Sequence, residues 1–186
     1  MQPISPPQET ARLLLRPFRE EDIESFFSCC KNPNLGRNAG WKPHQTLEES
    51  QAVLEEVFLN QMNIWAITLK ESSELIGAIG LLPDPKRSYK EAMTLGYWLD
   101  EDHWGKGYMT EAVNCILHYV FEKLPVEIIT ATCYPHNLQS QRVLIKNGFI
   151  YEGTLHAAEK IYNGKIFDHL CYYLKRNITQ IPKTNE

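Results

Sequence analysis

No stretch of this 186-residue chain stays apolar long enough to cross a bilayer, and its first residues, MQPISPPQE, lack the apolar core of a secretory leader. A cytoplasmic protein with no membrane partner is expected. A basic excess is missing too: 19 Lys and Arg stand against 23 Asp and Glu, a net charge of −4. That argues against a nucleic-acid partner while leaving a cationic substrate open. The five cysteines include no C-x-x-C pair; Cys29 and Cys30 are adjacent, and Cys115, Cys133 and Cys171 are scattered. The spacing predicts no metal site, only buried reduced thiols. Asn177-Ile178-Thr179 has the spelling of a glycosylation sequon, but nothing else is secretory. Two nucleotide motifs also fail. Gly105-Lys106 is followed by Gly107 and Gly164-Lys165 by Ile166, so there is no Walker loop. Thr110 takes the place of the third glycine of a dinucleotide fingerprint.

What the chain does have is 43% hydrophobic residues, enough for one domain with a substantial core. Residues 1–10 read as a mobile proline-rich arm, 11–176 as the domain and 177–186 as a polar tail. Ala11–Phe18 reads as a strand, and Glu20-Glu21-Asp22 as the acidic start of a helix through Ile23, Phe26 and Phe27. Lys31–His44, punctuated by Asn, Pro and Gly, reads as a loop. Thr46-Leu47-Glu48-Glu49 is a capping box opening a further helix. Three strands follow, Asn63–Lys70, Leu75–Leu82 and Ala92–Leu99, with turns at Ser72-Ser73 and Asp84–Ser88.

Ala112, Val113, Ile116, Leu117, Val120, Phe121 and Leu124 then recur at the spacing of an amphipathic helix. Glu127–Tyr134 is a β-branched strand, and a helix from Pro135 to Asn147 stops at Gly148. Asn163-Gly164 is the turn of a final hairpin. The unit from Ala92 to Tyr134 is long enough for a right-handed parallel crossover, whereas the short links elsewhere imply antiparallel pairing. The expected fold is α/β (α+β): a mixed, mostly antiparallel sheet of six to seven strands, helices on both faces, and one parallel strand–helix–strand unit.

Inside that unit lies His103–Ala112, HWGKGYMTEA, with Gly105 and Gly107 in the strand-to-helix turn. Glycines there let the backbone approach a ligand and aim several N–H groups at one point, and the positive end of the helix dipole adds to them. Such a turn suits a phosphate. With its flanks, the stretch resembles the acetyl-CoA pyrophosphate loop of the GNAT superfamily of N-acetyltransferases. The closest spelling is that of the RimJ/RimL-type branch, where W-G-K-G-Y is usual. A second motif, Asn137-x-x-Ser140 leading to Gly148-Phe149, resembles the family's N-x-x-S-…-G-F helix. The order of elements matches that fold from Ala11 to about Tyr173.

The resemblance implies acetyl-CoA as cosubstrate, with its phosphates held by Trp104, Gly105, Lys106, Gly107, Tyr108, Met109 and Thr110. Lys106 reads equally as a solvated loop lysine, and Met109 replaces a small residue of the superfamily pattern. The pantetheine arm is expected along the backbone at Trp98 and Leu99. Asn137 is either its ligand or a helix cap, and Ser140 is the expected proton donor to the sulfur. The tyrosine acid found in many members seven residues after that Asn is replaced by Leu144. Branch members often carry a Glu where this strand has Thr94. Glu91 is therefore the candidate base, with water relayed by backbone carbonyls as its alternative.

The implied reaction is direct attack of a primary amine in a ternary complex, rather than acyl transfer through Cys133. The acceptor, a protein N-terminus or a small amine, is expected between Lys31–His44, the Asp84–Lys90 turn and the final hairpin, with Trp41 as its wall or a core anchor. The chain is expected to be a monomer or homodimer. The reading from another class is a non-catalytic acyl-CoA-binding module on the same fold.

Overall fold

One sheet of eight strands runs through the computed structural model, which describes residues 5–176. The elements are β1 (Gln8–Glu9), β2 (Leu13–Arg16), α1 (Ile23–Cys30), α2 (Pro33–Ala39), α3 (Leu47–Val53), β3 (Ile64–Leu69), β4 (Leu75–Pro83) and β5 (Ala92–Leu99). They continue as α4 (Tyr108–Lys123), β6 (Ile128–Cys133), α5 (Leu138–Lys146), β7 (Ile150–Lys160) and β8 (Ile166–Lys175). The strand order is β1-β2-β3-β4-β5-β6-β8-β7, and every pairing is antiparallel except β5 with β6.

Strand alternation gives the sheet two apolar faces, each covered by helices. Trp65 and Ile67 of β3 join Ala112, Val113, Ile116 and Val120 of α4 and Leu144 of α5 in one core. Ala66, between them in sequence, belongs to the other, with Phe26, Cys29 and Cys30 of α1, Leu35 of α2 and Trp98 of β5. The expected strands, the parallel crossover and the Asn163-Gly164 hairpin are all present, Gly164 at φ 83°. Thr46 caps its helix by accepting the Glu49 N–H, although the Glu49 carboxylate accepts from Gln45 N–H and does not close the box on Thr46.

Four expectations are corrected. The arm is docked along its described part. Ser5 is buried and donates to the Gln61 carbonyl, Trp65 Nε1 donates to the Pro6 carbonyl at 2.9 Å, and β1 pairs with β2. A buried indole N–H and an open sheet edge both need acceptors, and the arm supplies them. That strand raises the count to eight. The Lys31–His44 loop contains α2: Asn32 caps it by accepting from Asn34 N–H at 2.8 Å, Pro33 opens it and Gly40 ends it at φ 86°. The residues read as loop punctuation are cap signals for a short helix. Finally, Cys29, Cys30 and Cys133 are buried, but Cys115 and Cys171 are only half-buried. The 177–186 tail and its sequon lie outside the described residues. No described helix is long and apolar enough to cross a membrane.

The β4–β5 turn is fastened away from the cleft side. The Asp84 carboxylate accepts from Lys86 N–H at 2.8 Å, Arg87 Nη1 at 2.7 Å and Thr130 Oγ1 of β6 at 2.9 Å. Arg87 also reaches Glu152 of β7 at 2.6 Å. Burial alone would raise the Asp84 pKa; the three hydrogen bonds and the Arg87 charge outweigh it and hold it below the ordinary value. A depressed carboxyl pKa contributes stability above the unfolded value of about 3.9, and that contribution fades as pH falls through the folded one. Asp84→Asn is therefore expected to destabilise by about 1–3 kcal/mol at neutral pH. In thermal melts from pH 7 downward, its deficit relative to the wild type should shrink below about pH 4.

Candidate active site

The site begins where two parallel strands part. β5 pairs with β4 along its whole length, from Pro83↔Met93 to Gly77↔Leu99. With β6 it pairs only from Ala92↔Ile128 to Leu95↔Ala131, after which Thr132 and Cys133 stay with β8. The Ala92 carbonyl and the Asp100 N–H bond toward β4, and the Glu91 carbonyl bonds toward β6. By alternation, the main chains of Tyr97 and Leu99 therefore face the gap, whereas that of Trp98 faces β4. The expected backbone pair Trp98 and Leu99 is thus corrected to Tyr97 and Leu99. The Trp98 side chain packs into the α1–α3 core, its ring 5.9 Å from Phe26.

Beyond β5 the chain makes a turn of 3-10 helix at Glu101–His103 and enters the glycine stretch. Trp104 Nε1 donates to the Leu99 carbonyl at 2.7 Å, tying the loop to the strand end. Gly105 and Gly107 have φ of 75° and 83°, where a Cβ is strained, and a Cβ on Gly105 would meet nothing within 4 Å. Gly107 is the N-cap of α4, so the N–H groups of Tyr108, Met109 and Thr110 have no partner within the helix. Met109 buries its side chain in the core, so it does not crowd this turn. Lys106 is exposed and is absent from the cleft wall. Its carbonyl is held instead by Arg12 Nη1 at 3.0 Å. Arg12 lies 4.3 Å over the Tyr108 ring and pairs with Glu111 of α4 at 2.6 Å. This outer clamp, drawn from β2's flank, was invisible to local sequence reading.

The gap and the loop form a cleft of about 280 Å³ walled by β5, α2, the glycine turn and α5. Among its lining residues there is no Asp or Glu, and the cationic side chains are Arg142 and Lys146. A second cleft of about 450 Å³ shares Asn38, Ala39, Tyr97, Trp98, Asn137 and Ser140 with the first. It has no Lys or Arg in its lining, and its carboxylate is Glu159. Glu159 Oε2 accepts from Tyr134 Oη at 2.8 Å and lies 3.0 Å from His169 Nε2. Burial, then the adjacent carboxylate, pushes the Tyr134 phenol pKa up, so it stays a donor. Gly40, at the end of α2, sits against Tyr134 Oη and Glu159, with no room for a Cβ.

Asn137 and Ser140 stand at the junction of the two clefts. Asn137 Oδ1 accepts the Ser140 N–H at 3.0 Å, so its oxygen is a helix cap while the residue also lines both clefts. Ser140 Oγ lies 2.8 Å from Tyr97 Oη. Leu144 is fully buried in the core. Glu91 is not brought to this place. It lies in the turn just before β5, some seven residues before Trp98, about 23 Å along a strand, and lines neither cleft. Thr94, at the position where a Glu was sought, does line the second cleft. Of the three expected acceptor segments, the second cleft takes Trp41 from the first and Glu159 and His169 from the final hairpin, but nothing from Asp84–Lys90. That turn is held on β6 and β7 instead.

A cationic cleft ending in a helix N-terminus, joined to an anionic one across a parted sheet, is the architecture of an acyl-CoA-dependent acyltransferase. Comparison with known proteins gives the class its family: residues 12–150 match the model of the Acetyltransferase (GNAT) domain, so the chain is a member of the GNAT acetyltransferases. The ribosomal-protein-serine acetyltransferase of Escherichia coli is 31% identical over 152 residues, covering 79% of this chain and 84% of that one. It is consistent with the RimJ/RimL-type branch. A GNAT acetyltransferase from Bacillus anthracis superposes with a TM-score of 0.80 at 23% identity, over 92% of this chain and 99% of the other. The RimL ribosomal α-N-protein acetyltransferase, solved with coenzyme A, gives 0.73 at 21% identity, over 91% and 98%. The protein is an N-acetyltransferase by family, and the two low-identity structures speak for the fold.

Gly107→Val should abolish acetyl-CoA binding in calorimetric titration while circular dichroism stays that of the wild type, because the branched side chain cannot take the αL geometry that aims the turn. Unimpaired binding would remove the turn from the phosphate site.

Proposed function

We propose that the protein transfers acetyl from acetyl-CoA to a primary amine by direct attack in a ternary complex, with the α-amine of a polypeptide N-terminus as the favoured acceptor. The observation that carries this is the second cleft, with its single carboxylate, Glu159, set between Tyr134 and His169. A carboxylate attracts a substrate ammonium and accepts its proton, and a wall without Lys or Arg holds no guanidinium or ammonium to pair with a free amino acid's carboxylate or a phosphate. A peptide N-terminus has the amine without the adjacent anion. The name of the Escherichia coli relative, a ribosomal-protein-serine acetyltransferase, supports the same acceptor class.

Acetyl-CoA supplies the activated thioester; the rest falls to the chain. The N–H groups at the start of α4 receive the pyrophosphate, and Arg142 and Lys146 place positive charge along the same wall. Tyr97 and Leu99 present their N–H groups to the gap, where they bind the pantetheine arm and oppose the oxygen that gains charge as the amine adds. Glu159 replaces Glu91 as the proposed base and takes the proton from the amine. Ser140 Oγ–H, at the junction, donates to the sulfur that receives the electron pair of the broken C–S bond. A thiol of pKa about 8.5 leaves readily, so a hydrogen bond suffices there.

The test is release of thiol from acetyl-CoA with a panel of Ser- and Ala-initiated peptides, polyamines and amino-sugar amines. Peptides are expected to be turned over best, and Glu159→Gln to lower kcat/KM by about a hundredfold with acetyl-CoA affinity unchanged. Binding of acetyl-CoA with no release on any amine would instead favour the non-catalytic acyl-CoA-binding module.

A further inference from the structure

We infer that Tyr97 is a positioning residue that turns the Ser140 hydroxyl proton toward the sulfur-binding junction. The inference rests on the reading of this cleft as an acetyl-CoA site. Tyr97 Oη lies 2.8 Å from Ser140 Oγ and 3.3 Å from the Ser140 carbonyl. Either hydroxyl can donate across the shorter contact; with the phenol as donor, its single hydrogen points at Ser140 between Oγ and the carbonyl, which only accepts, and Ser140 Oγ takes the acceptor role. Its own hydrogen is thereby left for another partner. Asn137 holds the Ser140 N–H, fixing the first turn of α5 against which the hydroxyl rotates. Both Tyr97 and Ser140 line both clefts, so the pair spans the point where the gap in the sheet meets the acceptor side. A donated hydrogen bond also polarises the serine O–H and strengthens its own donation. The two residues are 43 positions apart, brought together because β5 outlasts its pairing with β6.

The titratable groups around the pair are Cys133 of β6 and Tyr172 of β8, Arg142 and Lys146 on α5, His103 and Tyr108 on the far wall of the first cleft, and Tyr134, Glu159 and His169 in the second. Burial pushes the Cys133 thiol up to about 11 and raises the phenols of Tyr97 and Tyr172. Tyr97 therefore keeps its proton wherever the enzyme works. As the C–S bond breaks, sulfur takes its electron pair and Ser140 Oγ–H donates to it. The amine's proton goes to Glu159, so neither hydroxyl has to ionise.

The experiment needs no acceptor: CoA and desulfo-CoA are titrated into wild type, Tyr97→Phe and Ser140→Ala at a series of pH values from about 6.5 to 9, around the ordinary thiol pKa of about 8.5. A donor at the sulfur lowers the pKa of the bound thiol, so CoA affinity should rise with pH relative to desulfo-CoA, about tenfold for each unit of lowering. Desulfo-CoA removes the contribution of every other titrating group. Ser140→Ala is expected to abolish the rise and Tyr97→Phe to reduce it by more than half. If Phe unfolds the chain, 3-fluorotyrosine at position 97, a stronger donor, should enlarge the rise. In turnover, Tyr97→Phe should lower kcat about tenfold with KM for acetyl-CoA nearly unchanged, and cost nothing further in a Ser140→Ala background. A full rise in Tyr97→Phe, no rise in a wild type that binds CoA, or additive losses in the double variant would each overturn the inference. No CoA binding by the wild type would overturn the acetyl-CoA reading itself.

Discussion

The site depends on hydrogen bonds that are not made. β5 and β6 pair for four residues and then separate, β5 following β4 and β6 following β8. A gap in a sheet leaves main-chain donors and acceptors without partners, which is tolerable only where something else satisfies them. One is met internally, by the Trp104 indole on the Leu99 carbonyl. The others face the cleft, where the proposed pantetheine arm would meet them, and the same separation admits α5, so that Ser140 and Tyr97 meet across it. Loop, strand and helix converge because the sheet opens at that point.

Charge is divided across the opening. The cleft beneath the glycine turn has Arg142 and Lys146 and no acid in its wall, and the cleft beyond it has Glu159 and no Lys or Arg. In the proposed reaction this division draws a polyanionic cosubstrate and a cationic acceptor to opposite sides of one junction, although the net charge of the chain is only −4. α2 spans both clefts and is fastened at each end. Glu101 accepts from Asn32 and Asn34 near its start, and Gly40 seats its end on Tyr134 and Glu159. A displacement of α2 would disturb both walls at once.

Much of the fold was legible because the signals that mark it are local. Alternation, helix-period apolar residues, the Thr46 cap and the Asn163-Gly164 turn each need only neighbouring residues to act. The errors have physical reasons of the same kind. Asn32, Pro33 and Gly40 are both loop punctuation and the caps of a short helix, and only the burial of Leu35 and Gly36 decides between the two. The proline-rich arm carries no hydrophobic pattern, yet it is held by backbone acceptors that Trp65 and the sheet edge require.

What the sequence by itself determined is the strand–helix–strand unit, the glycine turn at the head of its helix, and the Asn137-capped helix that carries Ser140. Each is written in contiguous residues whose backbone preferences favour it. Only the tertiary structure decided which acid lines the second cleft. Glu91 sits beside the motif in sequence and about 23 Å away along the strand, whereas Glu159 is far in sequence and adjacent in space. Likewise Tyr97 reads as one aromatic among several until the register of β5 and the placement of α5 bring its hydroxyl 2.8 Å from Ser140. Catalytic geometry is a property of long-range register, and register is set by the whole sheet, not by any stretch of chain.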